Sequence, residues 1–426
     1  MKDWAGKKIT IIGAGTSGLA AARLCSRQGA RVKVSENQAK DKISPGVLKE
    51  IEDLSLACEW GGHTAPFIED NDLIVISPGV RSDASCVVWA KAKGVPVTGE
   101  VELASRFCPC RVIAVTGSNG KTTVSTLIAE FLRAAGHRVF LCGNVGFPFS
   151  SAVRDMTKTD MAVVEVSSFQ LETIERFHPF IAVFLNFNEN HLDRHRDMRE
   201  YFTAKTRIFE NQTADDFAVL NKDDERIQGL GETLKARVVF FSESQALKEN
   251  GIGPKGADPN YLAASTVAGL VGVDEAVCRK TFQEFKGVEH RMERVRILNG
   301  VVFINDSKAT TAQSGSWALK NVPGPVVLIC GGRDKNIDFS VLREQVAQKV
   351  RKMIVIGEAS KKLSRTFQDI VDVEESNSLS SAVERARACA VAGDYVLLSP
   401  LCASFDMFRN FEERGRVFKE YVCDLD

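Results

Sequence analysis

The sequence lacks an excess of charge of either sign. Its 426 residues include 55 lysines and arginines and 55 aspartates and glutamates, so the formal net charge is zero. Nucleic acids and anionic membrane surfaces attract proteins that carry a bulk positive charge. We therefore expect neither of them as a partner, and any bound anion must be held by a few local groups.

Long apolar runs are also missing. No stretch approaches the ~20 apolar residues that span a bilayer, and the N-terminus from Met1 to Lys8 lacks the apolar segment of a signal peptide. The sequence therefore predicts a soluble, cytoplasmic protein.

The eleven cysteines lack the spacing of a common zinc site. The one close pair, Cys108 and Cys110, is separated by a single residue and has no histidine nearby. Others, such as Cys25, Cys142 and Cys330, lie in apolar stretches. We expect reduced, buried thiols.

Short β-branched runs alternate with longer amphipathic segments, which is typical of parallel sheets with crossover helices. The strand–turn–helix pattern starts at Gly13 and restarts at Gly117, and a third set of strands begins near Val301. The sequence therefore predicts an α/β protein of three domains. These are a Rossmann-like domain over 1–100, a central P-loop ATPase-type parallel-sheet domain over 101–287 and a Rossmann-like C-terminal domain over 288–426.

The first glycine-rich turn follows the predicted strand Ile9 to Ile12 and opens a helix, with glycines at Gly13, Gly15 and Gly18. Such a turn offers backbone N–H groups to a diphosphate. With Glu36 placed for a ribose, the motif alone suggests an NAD-dependent oxidoreductase. It leaves NAD and FAD equally open as the ligand, and the glycines could also serve only close packing. A second turn, Ser77-Pro78-Gly79, is expected to face the same crevice.

The second glycine-rich turn follows the apolar run from Arg111 and also opens a helix. Its backbone N–H groups and the Lys121 ammonium can surround a triphosphate, and the Thr122 hydroxyl can reach Mg²⁺. Val115 stands where a full Walker motif has its first glycine, which indicates a shortened loop. The predicted nucleotide-binding residues are Gly117, Ser118, Asn119, Gly120, Lys121, Thr122 and Thr123.

Polar side chains end other predicted strands of the central domain. Glu165 ends an apolar strand, where an unpaired charge would cost several kcal/mol, so a cation such as Mg²⁺ is expected beside it. Asn144 and His191 also follow strands, and the carboxyl ends of parallel strands share one edge of a sheet. His191 is therefore a candidate Mg²⁺ ligand.

Charged and small residues likewise follow three predicted strands of the C-terminal domain. The segments Asn305 to Thr311, Cys330 to Lys335 and Ser399 to Asp406 carry groups suited to a carboxylate. We expect this domain to bring a second, anionic substrate to the nucleotide, although the glycine pair and Lys335 could merely form a solvated turn.

In this order, the motifs resemble the Mur ligase family, and within it the branch that attaches D-glutamate to a UDP-linked muramoyl-alanine. They are GAGTSGLA, SPG, TGSNGKTT, GNVG, EVSSFQLE, NHLDRH, AKTRIFENQ, NYLAA, EHRME, NDSKATT, GGRDKNIDF and LSPLCASFDMFRNFEERG. The resemblance covers nearly the whole chain. It implies an ATP- and Mg²⁺-dependent ligase of small-molecule substrates that acts through an acyl phosphate in peptidoglycan precursor synthesis, and a monomer is expected.

The resemblance also implies residue roles. The first domain would hold the UDP diphosphate, Lys121 and His191 would act in catalysis, and Lys205 matches the lysine that the family carbamylates. Metal ligands would be Thr122, Glu165, His191 and Lys205. The nucleotide side would include Asn260, Arg291 and Asp306, and the substrates would meet Asn144, Lys308, Thr310, Lys335, Ser404 and Phe411.

The chain departs from the family after the second strand. Threonine and arginine are common beside the uracil there, whereas this chain has Ser35, Glu36 and Asn37, so no uracil-contacting residue is assigned. Alternatives are a sister Mur ligase or folylpolyglutamate-type ligase with another acceptor, an NAD-dependent oxidoreductase, and a nucleotide-binding module without catalysis.

Overall fold

Three β-sheets organise the chain in a computed structural model that describes residues 4–188, 194–244, 258–334 and 337–426. The chain forms two compact units, Met1–Glu284 with two of the sheets and Phe285–Asp426 with the third. The α/β class predicted from the sequence is confirmed. Within the described ranges, every helix is too short or too polar to cross a membrane.

The first sheet has five parallel strands in the order β3-β2-β1-β4-β5. The strands are β1 Lys8–Ile12, β2 Arg31–Glu36, β3 Ala57–Trp60, β4 Leu73–Ile76 and β5 Val97–Gly99. The helices are α1 Thr16–Arg27, α2 Pro45–Asp53, α3 Ala65–Glu69, α4 Ser85–Ala92 and α5 Glu100–Ser105. The apolar runs of the central strands are buried on both faces, as a parallel sheet between helices requires.

The second sheet has six parallel strands in the order β11-β10-β9-β6-β8-β7. The strands are β6 Arg111–Thr116, β7 Val139–Gly143, β8 Met161–Glu165, β9 Ile181–Phe184, β10 Phe217–Asn221 and β11 Arg237–Phe241. The helices are α6 Lys121–Ala134, α7 Phe149–Ala152, α8 Ser168–Leu171, α9 Met198–Thr206, α10 Glu225–Gln228, α11 Pro259–Leu270 and α12 Glu275–Glu284. Because these strands are parallel, β6, β7, β8 and β9 all end at one edge.

The third sheet has the order β12-β13-β17-β14-β15-β16, and only its β12–β13 pair is antiparallel. The strands are β12 Glu293–Leu298, β13 Val301–Asn305, β14 Val326–Gly331, β15 Val350–Ile356, β16 Asp372–Glu375 and β17 Tyr395–Leu398. The helices are α13 Ala312–Asn321, α14 Arg343–Lys349, α15 Ser360–Phe367, α16 Leu379–Cys389 and α17 Phe411–Cys423.

One strand of this sheet escaped the sequence analysis, which started the third set near Val301. Glu293–Leu298 forms an edge strand earlier in the chain. The strand was missed because it carries three charged residues in place of an apolar run. An edge strand tolerates them, since it needs few buried side chains. Short 3₁₀ turns complete the described structure, at Lys40–Lys42, Val153–Asp155, Arg207–Phe209, Gly229–Glu232 and Ser340–Leu342.

A single apolar cluster runs through both sheets of the first unit, from Ile9 in β1 to Ala236 before β11. The cysteines are free thiols, and Cys25, Cys142 and Cys330 are buried as predicted. The expectation that all of them are buried is wrong for five, which are half-buried or exposed: Cys58, Cys108, Cys110, Cys389 and Cys423.

Glu100, at the start of α5, is a buried acid within the first unit and only 2% exposed. Its Oε1 accepts a hydrogen bond from the Ser150 backbone N–H, whereas its Oε2 has no partner among the described residues. Burial raises the pKa of Glu100 to about 7.

Because of Glu100, we expect the free energy of unfolding to fall as the pH rises from the ordinary pKa of 4.5 to about 7. Over this range the unfolded chain has released the Glu100 proton, while the folded protein still holds it. Replacing Glu100 by glutamine should remove about 3 kcal/mol of this decline. Urea unfolding at both ends of the range measures the effect, with Glu52→Gln on the exposed side of α2 as the control. Equal declines in Glu100→Gln and wild type would contradict it.

Candidate active site

The second glycine-rich loop joins β6 to α6. Gly117 (φ 155°) and Gly120 (φ 79°) have positive φ angles that favour glycine. A Cβ on Gly117 would lie 3.0 Å from the Leu185 Cβ, and one on Gly120 would lie 2.6 Å from the Asn260 Oδ1. The structure thus brings Asn260, in the first turn of α11, next to the loop.

Asn186 fastens the loop from the end of β9. The Asn119 N–H donates to the Asn186 Oδ1 at 2.9 Å, and the Asn186 Nδ2 donates to the Asn119 carbonyl at 3.1 Å. The Ser118 Oγ lies 3.3 Å from the Tyr201 hydroxyl. The sequence analysis missed Asn186 and Tyr201. An asparagine that ends an apolar strand was the available signal for the first of them.

The loop lysine lies across the loop itself. The Lys121 Nζ donates to the carbonyls of Gly117 and Ser118, each at 2.9 Å. Thr122 and Thr123 follow in the first turn of α6, and Thr122 is buried. The helix N-terminus and the lysine together place positive charge where a phosphate group would bind.

Glu165 lies at the end of β8, beside the strand that leads into the loop, and is 1% exposed. Its Oε1 accepts a hydrogen bond from the Asn144 Nδ2 at 2.8 Å. Its Oε2 has no hydrogen-bond partner among the described residues. A buried carboxylate oxygen without a donor is costly and suits a divalent cation, so this residue fits a Mg²⁺ site.

Lys205 extends from α9 to the same loop and is also 1% exposed. Its Nζ donates to the Gly117 carbonyl at 2.8 Å and lies 3.4 Å from the Thr116 Oγ1. Burial and, next, the positive charge of Lys121 hold the pKa of Lys205 well below its usual value, while Glu165 acts in the opposite direction. The structure therefore brings Lys121, Glu165 and Lys205 together at one sheet edge.

Arg194 links this part of the chain to the Ser77-Pro78-Gly79 turn. Its guanidinium donates to the carbonyls of Pro78 (2.8 Å) and Val80 (2.9 Å). A cavity of about 200 Å³ lies beside the turn and is lined in part by Arg81, Arg194 and His195. Two predicted site residues, His191 and Lys335, lie outside the described residues.

The first glycine-rich loop is held by close packing and by Glu36. A Cβ on Gly18 would lie 1.9 Å from the Gly13 carbonyl oxygen, and the Ser77 Oγ donates to that oxygen at 3.3 Å. Gly15 caps α1. The Glu36 carboxylate accepts from the Ala14 N–H at 2.7 Å and from the Gln38 N–H at 2.8 Å. Glu36 therefore fastens the loop, a role that the oxidoreductase hypothesis did not anticipate.

In the second unit, Asp306 follows β13 and is 4% exposed. Its carboxylate accepts from the Met292 N–H and the Ser399 Oγ, each at 3.2 Å. Burial raises the pKa of Asp306 to about 7, against the positive charge of Arg291. Arg291 lies between two residues with positive φ, His290 and Met292, and such strain is frequent at functional sites.

Lys308, one of the predicted pocket residues of this unit, lies near Phe411 at the start of α17. The Lys308 Nζ lies 5.9 Å from the centre of the Phe411 ring. The Thr310 N–H donates to the Lys308 carbonyl at 2.9 Å, and Ser404 is buried.

Arg414 holds these segments together and was missed from the sequence. It is 1% exposed, and its guanidinium donates to the Ser307 Oγ, the Ser307 carbonyl and the Cys402 carbonyl. The Ser307 Oγ donates in turn to the Phe411 carbonyl at 2.8 Å. An arginine within a mainly amphipathic helix gives no sequence signal of burial.

The chain is similar to known proteins along nearly its whole length. Three family profiles match the chain: the Mur ligase MurD-like N-terminal domain at residues 7–99, the Mur ligase middle domain at 115–256 and the Mur ligase glutamate ligase domain at 290–402. The UDP-N-acetylmuramoylalanine--D-glutamate ligase of Thermoanaerobacter pseudethanolicus is 40% identical over 99% of both chains. The chain belongs to the Mur ligase family.

Other Mur ligase relatives span the same length. The identically named protein of Chlorobium limicola is 41% identical over 100% of this chain and 99% of its own. Among solved structures, the UDP-N-acetylmuramate-alanine ligase of Thermotoga maritima has a TM-score of 0.60 at 18% identity, covering 98% of this chain and 99% of its own. A pseudomurein peptide ligase of Methanothermus fervidus has a TM-score of 0.56 at 17% identity, covering 99% and 100%. The two structures support the Mur ligase fold.

Proposed function

We propose that this Mur ligase joins D-glutamate to UDP-N-acetylmuramoyl-L-alanine with consumption of ATP, in peptidoglycan precursor synthesis. The observation that carries the ligase chemistry is the unpaired oxygen of buried Glu165, close to Lys205 and the glycine loop. The choice of D-glutamate is supported by relatives of that name at 40–41% identity along the whole chain.

Each of the three predicted domains binds a different substrate in this proposal. Residues 1–100 bind the UDP part through Gly13, Gly15, Gly18, Ser77 and Gly79, and residues 101–287 bind ATP through the second glycine loop and Asn260. Residues 288–426 bind D-glutamate through Lys308, Thr310, Lys335, Ser404 and Phe411, and Arg291 and Asp306 serve the nucleotide. The protein is a cytoplasmic monomer in this proposal.

The chemistry has two displacement steps. The L-alanyl carboxylate attacks the γ-phosphorus of ATP, and the bond between this phosphorus and the oxygen that bridges to the β-phosphate breaks. ADP departs, and the carboxylate has become an acyl phosphate. The amine of D-glutamate then attacks the acyl carbon, and inorganic phosphate and one proton are released. Lys121 and the N–H groups of the loop stabilise the charge on the transferred phosphoryl group.

Thr122, Glu165, His191 and modified Lys205 are the residues that would hold Mg²⁺, and Asn144 orients Glu165 by its hydrogen bond. When bound, Mg²⁺ supplies charge neutralisation for the triphosphate.

Lys205 is expected to carry a carbamate. Its lowered pKa favours the neutral amine, which can add CO₂ to give N–COO⁻ with release of one proton. Protein equilibrated with ¹³C-bicarbonate should show a carbamate carbon resonance that disappears in Lys205→Arg. The control variant is Lys222→Arg, at a lysine of the same unit to which no role is assigned, and it should keep the resonance. A signal that persists in Lys205→Arg, or its absence from wild type, would refute the modification.

A phosphate-release assay tests the proposal as a whole. It contains ATP, Mg²⁺, UDP-N-acetylmuramoyl-L-alanine and one of a panel of amino acids. D-glutamate should give the highest rate. Release with a different amino acid would indicate a sister ligase, and ATP binding without release under any condition would indicate a non-catalytic module. Hydride transfer with NAD and no use of ATP would favour the oxidoreductase.

A further inference from the structure

Three sulfur atoms meet on the connection between α5 and β6, a feature that the proposed ligase activity does not use. The Sγ atoms of Cys108 and Cys110 lie 3.6 Å apart. The Sδ of Met156, which follows the turn Val153–Asp155, lies 3.8 Å from each of them. The three atoms thus form a nearly equilateral triangle.

The size of this triangle matches a trigonal metal centre. The point equidistant from sulfurs 3.6–3.8 Å apart is about 2.2 Å from each, close to the ~2.3 Å of a metal–thiolate bond. A disulfide would need an S–S distance near 2.05 Å. The present spacing therefore accommodates an ion with little movement of the side chains.

The ligand set selects the kind of ion. Zinc sites take thiolate, imidazole and carboxylate ligands and close as tetrahedra, which three sulfurs including a thioether do not supply. Thiolate together with thioether favours copper(I). The buried Cys142 thiol acts electrostatically to raise the pKa of Cys108.

The surroundings preorganise the three sulfurs. Pro109 separates the two cysteines and fixes its own φ, which restricts the loop. Both cysteines are half-buried and pack against the apolar cluster of the first unit, whereas Met156 is 7% exposed. Both cysteines therefore keep some exposure to solvent, whereas the thioether belongs to a buried residue.

The two thiols already act as a pair. A hydrogen bond with the Cys110 thiol lowers the pKa of Cys108, and the same contact together with burial raises the pKa of Cys110. This contact favours loss of the proton of Cys108 before that of Cys110. A cation between the sulfurs would replace both thiol protons.

We infer that Cys108, Cys110 and Met156 form a binding site for one copper(I) ion. Binding forms two copper–thiolate bonds and one copper–thioether bond and releases the two thiol protons, which leaves the centre with one net negative charge. The site depends on neither ATP nor the ligase substrates, so its test is independent of the proposed function.

Copper(I) competition with a chromophoric copper(I) chelator, under anaerobic and reducing conditions, measures the affinity of the whole protein. Wild type should bind one copper with high affinity, and Cys108→Ser and Cys110→Ser should each weaken binding by about 100-fold or more. Met156→Leu, which keeps the apolar volume, should weaken it about tenfold. Cys423→Ser, which removes the exposed thiol, should leave the affinity unchanged.

Protection of the thiols from alkylation needs only the wild-type protein, so this second measurement does not depend on the folding of any variant. One equivalent of silver(I), a redox-inert soft cation, should protect Cys108 and Cys110 of wild type from iodoacetamide, as read by peptide mass spectrometry, while the exposed Cys423 keeps reacting. X-ray absorption of the copper-loaded protein should show three sulfur neighbours in wild type and two in Met156→Leu. Equal affinity in Met156→Leu and wild type, or copper that is lost only with Cys423→Ser, would overturn the inference.

Discussion

Replacing Lys121 by alanine is expected to lower the rate constant for phosphate release by about 10³-fold while the protein stays folded. The ammonium of Lys121 lies over the glycine loop, where it would neutralise the phosphoryl group in the transition state. The variant loses the two hydrogen bonds to loop carbonyls, so the free energy of unfolding should change by about 1–2 kcal/mol. Steady-state phosphate release and urea unfolding of the same preparations measure the two effects.

Lys91 on α4 supplies the matched control, because it is exposed. Lys91→Ala should keep the wild-type rate. If Lys121→Ala retained more than about a tenth of the wild-type rate, the assignment of Lys121 to phosphoryl transfer would be wrong.

Two buried glutamates of the first unit are expected to respond to glutamine in opposite ways. Glu165 has one oxygen without a partner. Both oxygens of Glu102 are satisfied: Oε1 accepts from the Arg106 Nε, and Oε2 accepts at 2.8–2.9 Å from the backbone N–H groups of Glu175, Arg176 and Phe177. Glu165 therefore has the contacts of a ligand-binding residue, and Glu102 has those of a structural one.

Glu165→Gln should lower the rate of phosphate release by about 10²-fold or more and keep the free energy of unfolding within about 1 kcal/mol of wild type. Glu102→Gln should lower the free energy of unfolding by about 2–3 kcal/mol and should keep most of the activity at low temperature. The glutamine amide would either point its nitrogen at one of the N–H donors that the carboxylate now accepts from, or accept from them more weakly than the carboxylate does. Phosphate release and urea unfolding of both variants separate the two roles. The account fails if Glu165→Gln is as active as wild type or if its loss of activity follows unfolding.

Several elements could be predicted from the sequence because their signals are local. The apolar run Leu73–Ile76 forms β4, and the glycine loop between β6 and α6 lies where its motif placed it. The boundaries moved where side chains compete with the sheet. The apolar run from Phe180 to Phe187 forms a strand only over Ile181–Phe184, since the Asn186 side chain forms a hydrogen bond with the glycine loop.

The remaining features depend on contacts between distant parts of the chain. Nothing around Lys205 in the sequence distinguishes it from a surface lysine, yet its ammonium contacts a loop carbonyl 88 residues away. Met156 is likewise 46 and 48 residues from the two cysteines that it joins. The family resemblance indicated a role for Lys205, whereas the contact of Met156 with the cysteines is evident only from the fold. The two joints near residues 100 and 288 stay predictions.

The central claim is that the glycine loop, Glu165 and Lys205 bind ATP together with Mg²⁺. Isothermal titration of the purified protein with a non-hydrolysable ATP analogue, with and without Mg²⁺, tests it directly. We predict one site per chain that binds in the micromolar to submillimolar range and at least about tenfold more weakly without Mg²⁺. Absence of binding at millimolar analogue in the presence of Mg²⁺ would contradict the account.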